Sequence, residues 1–86
     1  MKELEKTLKA LANRRRLAII KYLKENREKS VSEIAEAIHL SFRSTSRHLS
    51  ILTGANIIEK EQKGLQVFYC LHAQQTKVAR TVLASL

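Results

Sequence analysis

The chain has 86 residues, enough for one hydrophobic core, so a single domain over residues 1–86 is predicted. Its sixteen Lys and Arg residues oppose eight Glu and no Asp, and the net charge of +8 favours nucleic acid or an anionic surface over acidic small molecules as a partner. No apolar run approaches the roughly 20 residues of a membrane span and no signal-peptide pattern opens the chain, so we expect no membrane partner and a cytoplasmic location.

Two helices are predicted before the first polar loop. Leucines recur at i, i+4 and i+7 within residues 3–12, a spacing typical of an amphipathic helix. Asn13 is a suitable N-cap for a second helix, whose broad apolar face continues to about Lys24. The polar and charged stretch 25–29 is predicted to be a loop.

The next two helices begin at serine N-caps. Ser30, with Glu33 three positions later, forms a capping-box pattern for a short third helix that ends near His39. Ser41 offers the N-cap of a fourth helix, predicted over about 41–53. Two helices separated by a tight break are the elements of a helix-turn-helix.

A hairpin and a last helix complete the chain. Gly54 or Asn56 can adopt the left-handed conformation that ends the fourth helix. Apolar residues then alternate over 57–71, which predicts two strands joined at Gly64. Residues 74–86 return to helical spacing. The predicted fold class is mainly α (α+β), a winged helix-turn-helix of order α-α-α-α-β-β-α with a helix added at each end.

The fourth helix carries the strongest functional signal. Its apolar side, formed by Thr45, Leu49 and Leu52, is expected to pack on the third helix. No acidic residue lies between Ala37 and Ile58, and a carboxylate facing a phosphate would weaken binding to nucleic acid. Arginines and hydroxyls have the chemistry to bind guanine edges and phosphates, although a solvated basic helix face is the alternative interpretation. The outward residues are Arg43, Ser46, Arg47 and Ser50.

Four segments, in this order, resemble one family of small regulators. They are LKALANRRRLAIIKYL, SVSEIAEAIHLS, STSRHLSILTGANII and KGLQVFYCL, within about residues 8–72. Together they resemble the ArsR/SmtB family of winged-helix repressors, which implies a homodimer that binds palindromic double-stranded DNA and represses transcription. Recognition helices would then enter successive major grooves about 34–36 Å apart. The resemblance implies DNA contacts at Ser41, Arg43, Ser46 and Arg47, and in the wing at Lys60, Lys63 and Gln66.

The terminal helices are expected to form the dimer interface. A chain this short buries roughly 60% of its unfolded surface, so a lone monomer would be marginal. The resemblance likewise implies that the first and last helices meet across the dimer. The residues expected there are Leu4, Leu8, Leu11, Val78, Val82, Leu83 and Leu86.

Two departures from the family's usual pattern bear on DNA contacts. Arg14–Arg16 replace a common Pro-Thr-Arg, and whether they contact the DNA backbone is open, because positive charge at a helix N-terminus is locally unfavourable. Phe42 replaces a common Gln, and it would either contact a thymine methyl or staple its helix onto the third helix, with the staple slightly favoured.

The sequence offers no metal-sensing site of the family's known types. The third helix has no Cys or His, and residues 74–86 contain no His, Asp, Glu or Cys. Cys70 and His72 share a strand face and could pair across a dimer around zinc, but such residues more often have packing roles. Oxidation of the Cys70 thiol would require exposure and a lowered pKa. We therefore expect no cofactor, no metal and no identified small-molecule ligand.

An enzyme is not expected, because no nucleophile, base and orienting residue and no carboxylate pair occur in plausible register. Two other functions stay open for the same fold. A winged helix could coat DNA without sequence preference or bind RNA, and specificity over random DNA separates that function from a regulator. It could instead bind a protein partner with an affinity that survives salt, whereas phosphate-driven binding weakens steeply.

Overall fold

The computed structural model describes residues 1–86 and has the winged helix-turn-helix architecture predicted from the sequence. Five helices surround one core, and a three-stranded antiparallel sheet of order β1-β3-β2 forms the wing and its base. None of the helices combines the length and apolar character that a bilayer-spanning helix requires. The elements are α1 (Lys2–Leu11), α2 (Arg14–Asn26), β1 (Glu28–Ser30), α3 (Val31–Ile38), α4 (Phe42–Gly54), β2 (Ile58–Lys63), β3 (Gln66–Leu71) and α5 (Lys77–Ala84).

Strand β1 is the element that the predicted order lacks. Residues 25–29 were expected to form a loop, but α2 continues to Asn26 and the chain then turns at Arg27, where φ is 58°. Glu28–Ser30 pairs antiparallel with β3, with Glu28 opposite Cys70. A strand of three polar residues has no alternating apolar signal, and its hydrogen-bond partner lies far away along the chain, so local patterning could not reveal it.

The helix starts follow the predicted caps. The Asn13 side chain accepts hydrogen bonds from two backbone N–H groups of the first turn of α2. At α3 the reciprocal capping box is complete: the Ser30 N–H donates to the Glu33 carboxylate at 2.9 Å, and the Glu33 N–H donates to Ser30 Oγ at 3.3 Å. Ser41 Oγ accepts from the Ser44 N–H at 3.1 Å. Each cap contributes about 0.5–2 kcal/mol to helix stability.

Left-handed residues end both helices of the helix-turn-helix. His39 ends α3 with φ 57°, and Asn56, not Gly54, adopts φ 58° after α4. The backbone N–H of Ile57 then donates to the Leu52 carbonyl at 3.1 Å, which satisfies an orphan carbonyl of the last turn of α4. His and Asn are among the residues other than glycine that adopt this conformation most readily. His39 therefore makes the turn from α3 to α4, and Asn56 the turn from α4 towards β2, without glycine.

The core lies beneath α4, on the side predicted from its periodicity. Thr45, Leu49 and Leu52 are each 0% exposed, as expected for the inward face of this helix. A buried Leu or Ile side chain contributes roughly 1.5–3 kcal/mol relative to an exposed one, so this contact fixes the helix firmly. The core cluster consists of Ala10, Leu11, Ile19, Ile20, Leu23, Ile34, Leu49, Leu52, Ile57 and Ile58.

One buried side chain in α4 lacks a hydrogen-bond partner. Thr45 Oγ1 has none, although the residue is fully buried. Thr45→Val is therefore expected to raise the free energy of unfolding by about 1 kcal/mol, since a desolvated, unpaired hydroxyl is replaced by a methyl group. Urea denaturation measures this change. Thr53→Val is the matched control: the Thr53 hydroxyl donates to the Leu49 carbonyl at 2.8 Å, so its loss should bring no gain. A lower stability of Thr45→Val would contradict the expectation.

Candidate nucleic-acid interface

The outward face of α4 is accessible and carries no negative charge. Arg43, Arg47 and Ser50 are exposed, and Ser46 is half-buried beside them. Ser41 is exposed at the N-cap, where the backbone N–H groups and the helix dipole attract anions. Because the opposite face is anchored in the core, this side of α4 is a rigid, positively charged surface. Arg43, Ser46, Arg47 and Ser50 thus share the outward side of α4, and Ser41 lies at its N-terminal end.

The wing separates its charges between the two faces of the hairpin. Residues paired across β2 and β3 point to the same face, so Glu59 lies with Cys70 and Glu61 lies with Phe68. The other face holds Lys60 beside Tyr69, which packs against the core. The carboxylates of β2 are therefore on the face turned away from the core, and Lys60 is on the opposite face.

The two predicted wing lysines differ in their surroundings. Lys63 Nζ lies 2.7 Å from a carboxylate oxygen of Glu28 and 3.7 Å from one of Glu61. The hydrogen bond that Lys63 donates to Glu28, together with the negative charges of Glu28 and Glu61, raises the pKa of Lys63. Lys60 forms no ion pair and is exposed. Lys60 is thus available to an external anion, whereas Lys63 would first have to leave Glu28. Gln66, paired with Lys63 in the register, is exposed at the wing tip.

The three consecutive arginines of α2 do not act alike. Arg14 and Arg15 line a shallow groove between α2 and α3. Arg16 turns inward: its Nε donates to the Ala10 carbonyl at 2.6 Å, and its Nη2 donates to the Lys9 carbonyl at 3.1 Å. These carbonyls belong to the last turn of α1, where the helix dipole is negative. Arg16 therefore caps α1 and is not available to DNA.

The same guanidinium reaches the recognition helix. Arg16 Nη1 lies 3.2 Å from His48 Nδ1. Since a guanidinium can only donate, His48 Nδ1 accepts this hydrogen bond and the imidazole is neutral with its proton on Nε2. Burial, followed by the charges of Arg16, Arg47 and Arg15, lowers the pKa of His48 below its ordinary value. No local pattern predicts this contact, because the two residues are 32 positions apart.

Protonation of His48 is expected to destabilise the fold in mild acid. Well above pH 6.5, the ordinary pKa of a histidine, the imidazole is neutral in both the folded and unfolded chain and contributes no pH dependence. Below that pH the unfolded chain takes up the proton first, so the free energy of unfolding falls until the pH passes the lower pKa of the folded state. His48→Gln should flatten this fall, because an amide oxygen can accept from Arg16 but does not titrate. Urea unfolding of both proteins over a pH series measures the slopes, and equal slopes would refute the assignment.

The terminal helices leave an apolar strip uncovered. On α1, Leu4 is 40% and Leu8 is 48% exposed, whereas Leu11 is 5% exposed and belongs to the core of the protomer. The last helix is fastened by Lys24, whose Nζ donates to the Leu83 carbonyl at 2.7 Å. Val78 is half-buried beside α1, and three further apolar residues of the C-terminal segment pack partly against the core. Those three are Val82, Leu83 and Leu86.

Cys70 and His72 share one carboxylate. Cys70 Sγ lies 3.8 Å from Glu59 Oε1, and His72 Nε2 lies 3.7 Å from Glu59 Oε2. Burial, followed by the negative charges of Glu59 and Glu28, raises the pKa of the Cys70 thiol. The thiol is therefore protonated near neutral pH, which makes it a poor nucleophile and a poor redox sensor. No group of three or more His, Cys, Asp or Glu side chains is arranged to hold a metal ion.

Comparison with known proteins identifies the family. The family model described as bacterial regulatory protein, arsR family, matches residues 13–60, more than half of the chain. The chain belongs to the ArsR family. It is 33% identical over 75 residues to the arsenical resistance operon repressor of Bacillus subtilis, a match that covers 87% of this chain and 71% of the relative. It is 35% identical over 79 residues to the transcriptional activator HlyU of Vibrio cholerae, covering 92% of this chain and 72% of the relative.

A solved structure agrees with the ArsR-family assignment. The homodimeric winged helix-turn-helix DNA-binding domain of a Mycobacterium bovis protein superposes with a TM-score of 0.85 at 28% identity, covering 98% of this chain and 75% of that chain. The resemblance found in the sequence is thus confirmed. As a member of the ArsR family, the chain is a DNA-binding transcriptional regulator and not an enzyme, as predicted.

Proposed function

We propose that this ArsR-family regulator is a homodimeric repressor that binds a palindromic operator. One observation carries the proposal: the carboxylate-free, arginine-bearing face of α4 is exposed, while the opposite face of the same helix is locked in the core. A rigid helix with this chemistry suits the major groove of double-stranded DNA, where arginines bind guanine edges and hydroxyls bind phosphates or bases.

The dimer is assigned to the apolar strip of the terminal helices. Leu4 and Leu8 are uncovered leucines on one side of α1, and α5 packs beside that helix. The Mycobacterium bovis domain of the same fold is homodimeric, which supports a dimer here. Pairing through these helices would leave both copies of α4 outward, and a two-fold axis would give an operator whose half-sites are about 34–36 Å apart.

The DNA contacts are assigned by position and charge. In the major groove they are Ser41, Arg43, Ser46, Arg47 and Ser50. In the wing, Lys60 contacts flanking DNA directly, and Lys63 and Gln66 do so from the wing tip. A regulator of this kind works on the chromosome, so we assign it to the cytoplasm.

We propose repression and not activation, because a bound dimer can repress simply by occupying the operator. A dimer of two small domains that covers an operator excludes other proteins from it without any further surface. The relatives include both a repressor and an activator, so the direction of regulation is measured with a reporter gene placed behind the selected operator. Higher reporter output in the presence of the protein would contradict repression.

The test is the selection of random duplex DNA on the purified protein, followed by sequencing of the recovered pool. An inverted repeat with half-sites about ten base pairs apart would support the proposal and supply the operator. A bound but unenriched pool, lost at moderate salt, would instead indicate non-specific coating of DNA. Recovery of no DNA would contradict both, and would redirect the search to a protein partner.

A further inference from the structure

One large aromatic side chain on the DNA-facing side has no part in the assignments above. Phe42 is the first residue of α4, and it is 59% exposed although it follows the polar N-cap Ser41 and precedes Arg43. It lines a groove together with Val31 and Tyr69. The exposed apolar surface of an aromatic side chain is a strong source of binding energy once a partner covers it.

The position of Phe42 indicates which partner covers the ring. The residues at the N-terminal end of a recognition helix contact base edges in the major groove. Phe42 occupies that end, one helical turn before Ser46 and next to Arg43. With a basic residue at its side and no carboxylate between Ala37 and Ile58, the surroundings of the ring favour a polyanion over an apolar protein surface.

The chemistry of the ring narrows the target further. A phenyl group neither donates nor accepts a conventional hydrogen bond, so it cannot read the polar edges of guanine, cytosine or adenine. The single apolar group that a base pair presents in the major groove is the C5-methyl of thymine. Phe42 also borders a groove of about 350 Å³ that it shares with the wing residues Val67 and Tyr69. The contacted base pair therefore lies on the wing side of each half-site.

We propose that Phe42 determines specificity by packing its ring against the C5-methyl group of a thymine in each half-site of the operator. The inference rests on the proposed function, since it requires α4 to lie in the major groove. It adds an apolar contact to the hydrogen bonds of Arg43 and Arg47, and it makes a definite statement about operator sequence. A structural staple onto α3, in contrast, would leave operator affinity independent of any thymine methyl.

The test uses the full chain and its selected operator, with each thymine in turn replaced by uracil, a change that deletes only the methyl group. At one thymine position, replacement in a single half-site is expected to lower the affinity of wild-type protein roughly fourfold, the effect of about one buried methyl group. Replacement of that thymine in both half-sites should lower it about 15-fold. Phe42→Ala should bind the thymine and uracil operators with equal affinity. Ile51→Ala is the matched control, because Ile51 is also an exposed apolar residue of α4 but does not line the groove beside Phe42, and this variant should keep the wild-type preference for thymine.

The outcomes separate this inference from the proposed function. If the protein binds its operator specifically but no thymine-to-uracil replacement weakens binding, the proposed role of Phe42 is wrong and the proposed repressor function still stands. The same would follow if Phe42→Ala kept the full preference for thymine. A protein that selects no DNA sequence would overturn the proposed function and this inference with it. Thermal unfolding of Phe42→Ala is measured alongside, and an unchanged midpoint is expected because most of the ring is exposed.

Discussion

Arg47→Ala is expected to remove most of the operator specificity and leave the dimer folded. An arginine that binds a guanine edge bidentately contributes about 1–3 kcal/mol of discrimination, and the symmetric dimer loses two of them. Arg47 is exposed on α4 and forms no ion pair, so its truncation should change the free energy of unfolding by less than about 0.5 kcal/mol. Titration of operator and of scrambled DNA in parallel, at fixed salt, measures the specificity ratio.

A control substitution that removes the same positive charge elsewhere distinguishes base recognition from non-specific electrostatic attraction to DNA. Lys2→Ala removes one positive charge from an exposed position on α1, on the other side of that helix from Leu4. It should weaken binding to operator and scrambled DNA equally and slightly, as expected for a change in long-range attraction alone. If Arg47→Ala binds the operator as tightly as wild type does, α4 is not the element that recognises the bases.

Leu8→Glu is expected to convert the dimer into a monomer and to weaken operator binding by about two orders of magnitude or more. Leu8 is 48% exposed in the protomer, so a carboxylate is tolerated there, but in the dimer it would be buried in an apolar interface without a partner. A monomer reaches only one half-site and loses the gain of roughly 10²–10⁴ that two linked sites provide. Sedimentation or light scattering measures the mass against the 9.8 kDa of one chain.

The matched control for Leu8→Glu is the same substitution at the exposed wing residue Leu65. Leu65→Glu makes the same substitution at a residue that is 102% exposed and far from the terminal helices along the chain. Its mass should remain that of the dimer, whatever happens to its affinity for DNA. A dimeric Leu8→Glu would show that the α1 strip is not the interface, and the proposed arrangement of half-sites would lose its basis.

The inward packing of α4 explains how a small domain can place several DNA contacts accurately. Thr45, Leu49 and Leu52 leave the helix no freedom to rotate about its axis, because all three are fully buried. The hydrogen bond of Arg16 to His48 adds a second connection, from α4 to the carbonyl end of α1. Residues far from DNA thus hold the outward arginines in place, and that accuracy is what base recognition requires.

The sequence by itself determined the elements whose causes are local. The caps Asn13, Ser30 and Ser41 act on N–H groups two or three residues away, so the pattern of residues was sufficient to find them. The two faces of α4 follow from a period of 3.6 residues in the same way, because inward and outward positions alternate along one continuous helix. The helix-turn-helix, the hairpin and the basic face of α4 were therefore predictable.

Only the tertiary structure decided which groups meet across the fold. Strand β1 exists because β3 supplies its hydrogen bonds, and Glu28 then lies close enough to pair with Lys63. Arg16 caps α1 and contacts His48, whereas Arg14 and Arg15 line a groove, and nothing in a run of three arginines distinguishes them. The Glu28–Lys63 and Arg16–His48 contacts join residues that are 35 and 32 positions apart in the sequence and close in space. Such contacts depend on how the elements pack together, and residue type and spacing along one chain do not encode that packing in a readable form.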